Sequence, residues 1–356
     1  MSFPLSWMLS DAPASIQYRA ITEIAGLTDE RTKYDSIPLA YRPALTLAAA
    51  QRADGLWSDT MLATPDGKPA APFEGVGTIN AVRRLVEYGW DRETPPVHHA
   101  RRILFRLLAE DNDPNFLYEF RGKGRMELDL VKHGRLVLRE AAAAALAHAG
   151  FEADPRLRGA AHRILDRATN YLRSPLSQKP WVRVGNRQVL SPDATPPSLN
   201  ALQMLAFMPV FCHENRTQVD HLYSYLSQPL PRQESAQAIG SEIVDQPHLV
   251  LGDWLPHRNA LEADVPMALL WLELMARLRF LGRNENWTRL FDRFLDDRDR
   301  NGVWHPHKGS SAPASTSPLV WHAFPLSGTG TDQRLADVTF RIGLIARLSG
   351  RAIELT

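Results

Sequence analysis

The chain has almost no cysteine and almost no net charge, and each shortage excludes a class of protein. Cys212 is the only cysteine among 356 residues, so no disulfide can form within the chain, and a reducing compartment is expected. The formal net charge is +1, and charged residues make up 23% of the chain. This balance lacks the basic excess of proteins that bind nucleic acid, so we expect no nucleic-acid partner.

Long apolar runs are also missing. The most apolar segment, VPMALLWLELMARLRF, is interrupted by Glu273 and Arg277, so it does not predict a membrane-spanning helix. The first residues, MSFPLSWMLSDAP, lack the basic region and the long apolar run of a signal peptide. We therefore expect a cytoplasmic protein. Contact with a membrane surface is not indicated, although QMLAFMPVF has the composition of an exposed apolar patch.

The alternation of apolar and polar residues that marks strands is nearly absent, whereas helical patterns recur along the whole chain. Short turns alternate with long linkers, and this alternation returns roughly every 55–70 residues, which indicates a repeated unit. The pattern predicts an all-α fold in which residues 1–356 form a single domain. The predicted helices cover 14–27, 38–53, 77–90, 95–110, 135–150, 155–173, 196–208, 216–226, 263–281, 285–297 and 332–349.

Two helix ends carry a related motif. In QRADGLW, Gln51, Gly55 and Trp57 follow a run of helix-forming residues, and RDRNGVW repeats the Gly-x-Trp pair at Gly302 and Trp304. Glycine is common where a helix ends because it adopts positive φ freely. A tryptophan beside it is expected to be buried, with its N–H hydrogen-bonded.

The Gln-x-x-x-Gly-x-Trp spacing resembles the QW motif of the squalene cyclase and protein prenyltransferase superfamily. The resemblance implies an α/α toroid, in which inner and outer helices surround a central cavity. It also implies that the motif is structural and clasps neighbouring helix ends together. The bound molecule would then be small and hydrophobic, and an isoprenoid diphosphate would fit this description.

In such a toroid, polar residues at the starts of the inner helices face one mouth of the cavity. Superfamily cyclases place Asp-x-Asp-Asp there, and the crowded carboxyl groups keep a proton that attacks an alkene or epoxide. The matching segment, LEADVPMALL, contains Glu262 and Asp264, but Val265 replaces the last carboxylate. We expect Glu262 and Asp264, with Asp337, to act as catalytic acids. The competing interpretation is that Asp264 only caps the helix that follows.

The metal sites of the superfamily are matched poorly. Cys212 has no aspartate two residues before it, which disfavours the zinc site of protein prenyltransferases. His305 and His307 are weak zinc candidates that would need a third ligand, such as His322. Mg²⁺ would accompany a diphosphate substrate, and Zn²⁺ is the less favoured cofactor.

A basic loop, RGKGRMELDLVKHGR, precedes another predicted inner helix. Its cations and the positive end of the helix would favour a phosphate or diphosphate, although a solvated loop would have the same composition. Trp254 and Trp321 are candidates to line the cavity and stabilise carbocations, with core packing as the alternative. The predicted diphosphate-binding residues are Arg121, Lys123, Arg125 and Arg135.

Three functions remain open from the sequence. The first is a cyclase-like enzyme that performs acid-initiated cyclisation or isomerisation in a central cavity. The second is a non-terpenoid lyase, isomerase or hydrolase on the same toroid, with His133, His257 or His305 as the base, with or without a metal. The third is a non-catalytic binding or scaffold protein. Fold alone does not separate them.

Overall fold

The structure is a computed structural model that describes residues 1–27, 33–65, 72–109, 118–120, 128–233, 235–255, 264–306, 317–326 and 331–356. The fold is mostly helical, as predicted. Its helices are α1 (Leu5–Asp11), α2 (Ala14–Arg19, continued by a π-helical turn at Ala20–Ile24), α3 (Ser36–Leu39), α4 (Arg42–Ala49), α5 (Thr78–Glu87), α6 (Pro95–Leu108), α7 (Leu128–His148), α8 (Pro155–Arg173), α9 (Leu199–Ala206), α10 (Pro209–Glu214), α11 (Arg216–Leu226), α12 (Val265–Arg277), α13 (Glu285–Asp296) and α14 (Thr331–Leu348).

The prediction that strands are absent is wrong in two of the long linkers. These form a four-stranded sheet in the order β2-β3-β4-β5, and a short parallel pair, β1-β6, joins the two chain ends. Each hairpin has a two-residue turn, and the first residue of the turn is a glycine at positive φ, Gly185 at 59° and Gly240 at 58°. Gly-Asn and Gly-Ser at these turns are recognisable hairpin signals. The strands are β1 (Ser2–Phe3), β2 (Trp181–Val184), β3 (Arg187–Leu190), β4 (Ala236–Ile239), β5 (Glu242–Asp245) and β6 (Glu354–Leu355).

Helices with two kinds of environment alternate along the chain. We call α2 with its π-helical turn, α5, α7, α9, α12 and α14 the buried helices, because most of their described side chains are inaccessible, in α7 those of its second half. Contacts link α5 to α7, α7 to α9, α9 to α12, α12 to α14, and α14 to the π-helical turn. The intervening α4, α6, α8, α11 and α13 each bury one face and expose the other, as amphipathic surface helices do. Among the described residues, no helix combines the length and apolar composition needed to cross a membrane.

The first QW-like motif joins three helices, as the resemblance implies. Trp57 is 8% exposed, and its indole N–H donates to the carbonyl of Leu47 at 2.6 Å. Gln51 Nε2 donates to the carbonyl of Pro96, at the start of α6, at 3.0 Å. The backbone N–H of Trp57 donates to Thr78 Oγ1, at the start of α5, at 3.2 Å. The predicted structural role of this motif is confirmed.

The second motif repeats part of this geometry, but the buried indole N–H of Trp304 has no partner among the described residues, unlike that of Trp57. Gly302 has φ of 86°, against 87° at Gly55. The backbone N–H of Trp304 donates to Thr339 Oγ1 at 3.0 Å, as the first motif does to its own threonine. Arg298, in the position of the glutamine, donates to a backbone carbonyl of β1 at 2.7 Å. The repeated unit inferred from sequence is therefore present in three dimensions at these two loops.

Candidate functional site

Three arginines and three glutamates form a closed ring of ion pairs between four buried helices. We call this the ion ring. The arginine and glutamate charges balance, and four of the six side chains are only 4% exposed. Around the ring each residue contacts the next, in the order Glu23, Arg19, Glu87, Arg341, Glu273, Arg277 and back to Glu23.

Every buried glutamate of the ion ring is ionised because its arginine neighbours outweigh its burial. Burial alone would raise the pKa of Glu87, but Arg341 and Arg19 hold that pKa well below its usual range. Burial would likewise raise the pKa of Glu273, and Arg341 and Arg277 lower it. A buried charge is stable only when it is paired in this way. The ion ring is therefore a structural element that ties four helices together.

His148, at the end of α7, borders the ion ring as a neutral side chain. Its Nε2 lies 3.6 Å from Glu87 Oε1, and its ring stacks on Phe207 with centroids 4.1 Å apart. Burial lowers the pKa of His148 to about 3, more than the attraction of Glu87 raises it. The imidazole therefore adds no charge to the ring at neutral pH.

One helical turn before Glu87, Arg83 has a different environment. It is 6% exposed, and within the described part of the chain it forms no ion pair with a carboxylate. Its Nη2 lies 2.7 Å from His322 Nε2, its Nη1 lies 3.5 Å from Asn200 Oδ1, and its Nε has no partner among the described residues. Burial lowers the pKa of Arg83 to about 9 despite the nearby Glu87, so the side chain is still a cation at pH 7.

His322 does not supply the missing negative charge. It is 2% exposed, and burial, followed by the repulsion of Arg83, holds its pKa well below the usual range. A neutral imidazole can accept a hydrogen bond at Nε2 only if its proton is on Nδ1. Arg83 therefore donates to a neutral histidine, and its positive charge is not compensated by this contact.

Gln203 adds two more unpaired polar atoms on the same side of α9 as Asn200. The two residues are three apart, which places them on one helix face. Gln203 is 2% exposed, and neither its amide oxygen nor its amide nitrogen has a hydrogen-bond partner among the described residues. We call Arg83 and its contacts Asn200 and His322, with Gln203 one turn from Asn200 on α9, the Arg83 cluster. It offers unpaired donors and one unpaired acceptor in a buried setting.

Side chains of α5 and α14 hold the segment 317–326, which carries His322, in place. Arg84 donates to the carbonyl of Trp321 at 2.8 Å and lies over its indole ring at 5.3 Å. Arg341 donates to the carbonyl of Ala323 at 2.8 Å. Asp337, predicted as a catalytic acid, is 1% exposed and accepts the N–H of Leu326 at 2.7 Å. Asp337 thus contacts the segment that carries the histidine of the Arg83 cluster, and Trp321 belongs to that segment, directly before His322.

Among the other predicted acids and bases, Asp264 caps α12. Its Oδ1 accepts the N–H of Met267 at 3.1 Å, while Glu262 lies outside the described residues. His133 contacts Gln246 at 3.0 Å, and burial lowers its pKa. Beside it, burial lowers the pKa of His248 to about 4. These histidines lie where the sheet packs on α7, and His248 is a feature that the sequence analysis did not identify.

The predicted ligand-binding residues are not brought together in the described part of the chain. Trp254 stacks on Trp271 at 5.3 Å, and Trp271 meets Trp287 of α13 at 5.9 Å, so Trp254 belongs to an aromatic stack against a surface helix. Arg135 is half-buried in α7. Three predicted cations, Arg121, Lys123 and Arg125, lie outside the described residues.

The weak zinc candidates also do not meet further metal ligands in the described part of the chain. His305 Nε2 lies 3.2 Å from Asp299 Oδ2, and His307 is outside the described residues. Where the structure describes the chain, no three histidine, cysteine, aspartate or glutamate side chains converge on a metal position. Burial raises the pKa of Cys212 to about 12, which keeps its thiol protonated.

Sequence reasoning missed Arg83 and Gln203 and considered His322 only as a zinc ligand. A signal was present in α5, where Asn80, Arg83 and Glu87 recur at helical spacing in a segment whose other residues, except Thr78 and Arg84, are apolar. Such a stripe usually marks a solvated face, and here it faces inward.

Compared with known proteins, the chain matches no family model, no curated protein sequence and no solved structure at a significant level.

Proposed function

We propose that the chain is an α/α toroid of the cyclase and prenyltransferase type that binds a small anionic molecule at the Arg83 cluster. Three features support the toroid: the alternation of buried and surface helices, the succession of contacts between buried helices, and the two QW-like clasps. The ion ring adds a link between α2 and α5, because Arg19 pairs with Glu87. With this link, the contacts pass through all six buried helices and return to the first.

The single observation that carries the ligand proposal is the uncompensated charge of Arg83. Removing a cation from water costs several kcal/mol unless an anion or a full set of hydrogen bonds replaces the solvent. The ion ring, one turn away, supplies that compensation to its own arginines. Among the described residues, Arg83 has only a neutral histidine and a distant amide as partners, and its Nε is unpaired. A carboxylate or phosphate would accept its hydrogen bonds and neutralise it.

The same ligand would satisfy Gln203. An anion that also carries a hydroxyl or amide could accept from the glutamine Nε2 and donate to its Oε1. A purely hydrocarbon molecule would leave both atoms unsatisfied, at a cost of roughly 1–3 kcal/mol each. The proposed ligand is therefore polar and negatively charged at one end at least. The diphosphate of an isoprenoid would supply this negatively charged end. The small hydrophobic partner expected from the sequence stays a prediction.

Catalysis also stays a prediction. The capping bond of Asp264 and the backbone bond of Asp337 give both carboxylates structural tasks. Acid-initiated cyclisation would depend on Glu262, which lies outside the described residues. Of the three functions open from the sequence, binding of a small molecule has the most support, whether a reaction follows or not.

The test is titration calorimetry of the full chain with inorganic pyrophosphate and with citrate. Arg83→Met should remove one binding event, because it removes the charge and keeps most of the side-chain volume. Arg102→Met, on the exposed part of α6, should keep every event. The proposal is overturned if wild-type protein binds neither anion, or if Arg83→Met binds both as wild type does. Native mass spectrometry of the purified protein would show whether a molecule is retained.

A further inference from the structure

We propose a second anion-binding site, for a phosphate group, in a pocket beside the ends of α9 and α12. The pocket has a volume of about 570 Å³ and is independent of the Arg83 cluster. Its walls combine arginines with apolar side chains such as Val210 and Phe280. The charged residues that line it are Arg216, Asp220, Arg277, Arg279 and Arg283.

The pocket has more positive than negative charge. Among the described residues, Asp220 is the single acidic residue of the lining, and it is shared by Arg283 at 2.6 Å and Arg216 at 3.8 Å. Arg277 is neutralised by Glu273 in the ion ring. Arg279 is exposed, and it forms no ion pair among the residues that the structure describes. Outside the ion ring, three arginines face one aspartate in the pocket lining, which leaves a net charge of +2.

The backbone of Arg279 gives an independent reason to look here. Its φ is 60°, a region that residues other than glycine seldom occupy. It directly follows the cap of α12, and the next residue donates its N–H back to Met275, as in a Schellman motif. At the same position after α5, α7 and α14 the chain has Gly89, Gly150 and Gly350, all at positive φ.

Arginine therefore stands where three other buried helices, α5, α7 and α14, use glycine. Strained backbone persists where the surrounding structure requires it, and it concentrates at functional sites. Here the strained residue is the unpaired cation of a basic pocket. A phosphate explains both features together, because it would bond the guanidinium and offset the repulsion among the neighbouring arginines.

The shared ligand chemistry is a phosphate with at least two negative charges. Arginine suits it because its planar group can donate two parallel hydrogen bonds to phosphate oxygens. The source is either a free phosphorylated molecule or a lipid headgroup. The apolar wall is compatible with both, since Val210 is 56% exposed beside the arginines.

The experiment compares pyrophosphate binding by the full chain in wild type, Arg279→Gly and Arg279→Lys. Arg279→Gly relieves the positive φ, so its Tm should rise, while its Kd for pyrophosphate at this site should weaken by about tenfold or more. Arg279→Lys keeps the charge and should bind with intermediate affinity. Arg83→Met should retain this binding event, which separates this site from the interior one.

Two results would overturn the proposal. One is a wild-type protein whose only pyrophosphate binding is lost in Arg83→Met. The other is an Arg279→Gly variant with higher Tm and unchanged pyrophosphate affinity, which would make the arginine incidental. Sedimentation with vesicles identifies the source: binding to phosphatidic acid in phosphatidylcholine, lost in Arg279→Gly, supports a lipid headgroup. Pyrophosphate binding without vesicle binding supports a free phosphorylated molecule.

Discussion

The ion ring and the Arg83 cluster lie one turn apart on α5, and they treat buried charge in opposite ways. In the ion ring each arginine contacts two glutamates, and burial is compensated within the chain. In the Arg83 cluster a similarly buried arginine contacts a neutral histidine and a distant amide. Compensated charge can be explained by structure alone, whereas uncompensated charge needs something from outside the chain. This difference is the reason for placing the ligand at Arg83.

The largest expected effect comes from breaking the ion ring. Glu87→Gln leaves Arg19 and Arg341 without the carboxylate they share, so it should lower the free energy of unfolding by about 3–5 kcal/mol. Glu23→Gln is the matched control, because Glu23 is 33% exposed and water can replace it. Its effect should be below about 1 kcal/mol. Urea unfolding measures both, and equal losses would show that the ring is not held together by its buried members.

Acid should destabilise the protein through its neutral buried histidines before it protonates the ring glutamates. Burial lowers the pKa of His148 to about 3 and that of His248 to about 4, and His322 is shifted in the same direction. An unfolded histidine titrates near 6.5, so below that pH the unfolded state binds more protons. Stability should be retained above about pH 6.5 and fall by roughly 1.4 kcal/mol per pH unit for each such histidine.

The measurement is urea unfolding between pH 7.5 and 5. His148 faces Glu87, Arg19, Arg83 and Arg277, and the lowered pKa of Glu87 keeps that carboxylate ionised in this range. In His148→Gln, unfolding should therefore take up one proton fewer, so that the free energy of unfolding depends on pH less steeply but still depends on it. A wild-type stability that does not change between these pH values would contradict the buried, neutral state of all three histidines.

The helical pattern predicted most of the fold because apolar periodicity and terminal glycines act locally. Trp57 was predicted to be buried with its N–H bonded, since a ring of that size beside a helix end has few other options. The two hairpins were missed although Gly185 and Gly240 begin two-residue turns, because strands of four residues give little alternation to detect. The polar stripe of α5 gave a signal for Arg83, but which of its charges are paired could not be predicted, because pairing of buried charges depends on contacts between helices far apart in sequence.

Asp264 sharpens the comparison, because it was predicted as a ligand-facing acid and is found as a helix cap. Asp264→Ala should lower the free energy of unfolding by about 1 kcal/mol, as expected for loss of an N-cap. Asn284→Ala is the matched control, because Asn284 caps α13 in the same way, accepting the N–H of Trp287 at 3.2 Å. Both variants should bind anions as wild type does. Loss of binding in Asp264→Ala alone would return Asp264 to the functional site.

The smallest expected change in stability comes from Arg83, measured without ligand. Arg83→Met removes a buried cation that has no counter-ion in the described part of the chain, so the desolvation cost it relieves should offset the hydrogen bond lost to His322. We expect a free energy of unfolding within about 1 kcal/mol of wild type, or above it. Arg84→Met is the control, since Arg84 is also 6% exposed but donates to several carbonyls of residues 317–326.

Removing Arg84 leaves those buried carbonyls without donors and should cost at least about 2 kcal/mol. Two adjacent arginines of equal burial should therefore differ in sign or size of effect, and only Arg83→Met should lose the anion-dependent rise in Tm. If Arg83→Met destabilises the unliganded protein as much as Arg84→Met does, the chain itself compensates Arg83. The distinction between the ion ring and the Arg83 cluster would then disappear, together with the main reason to expect a ligand there.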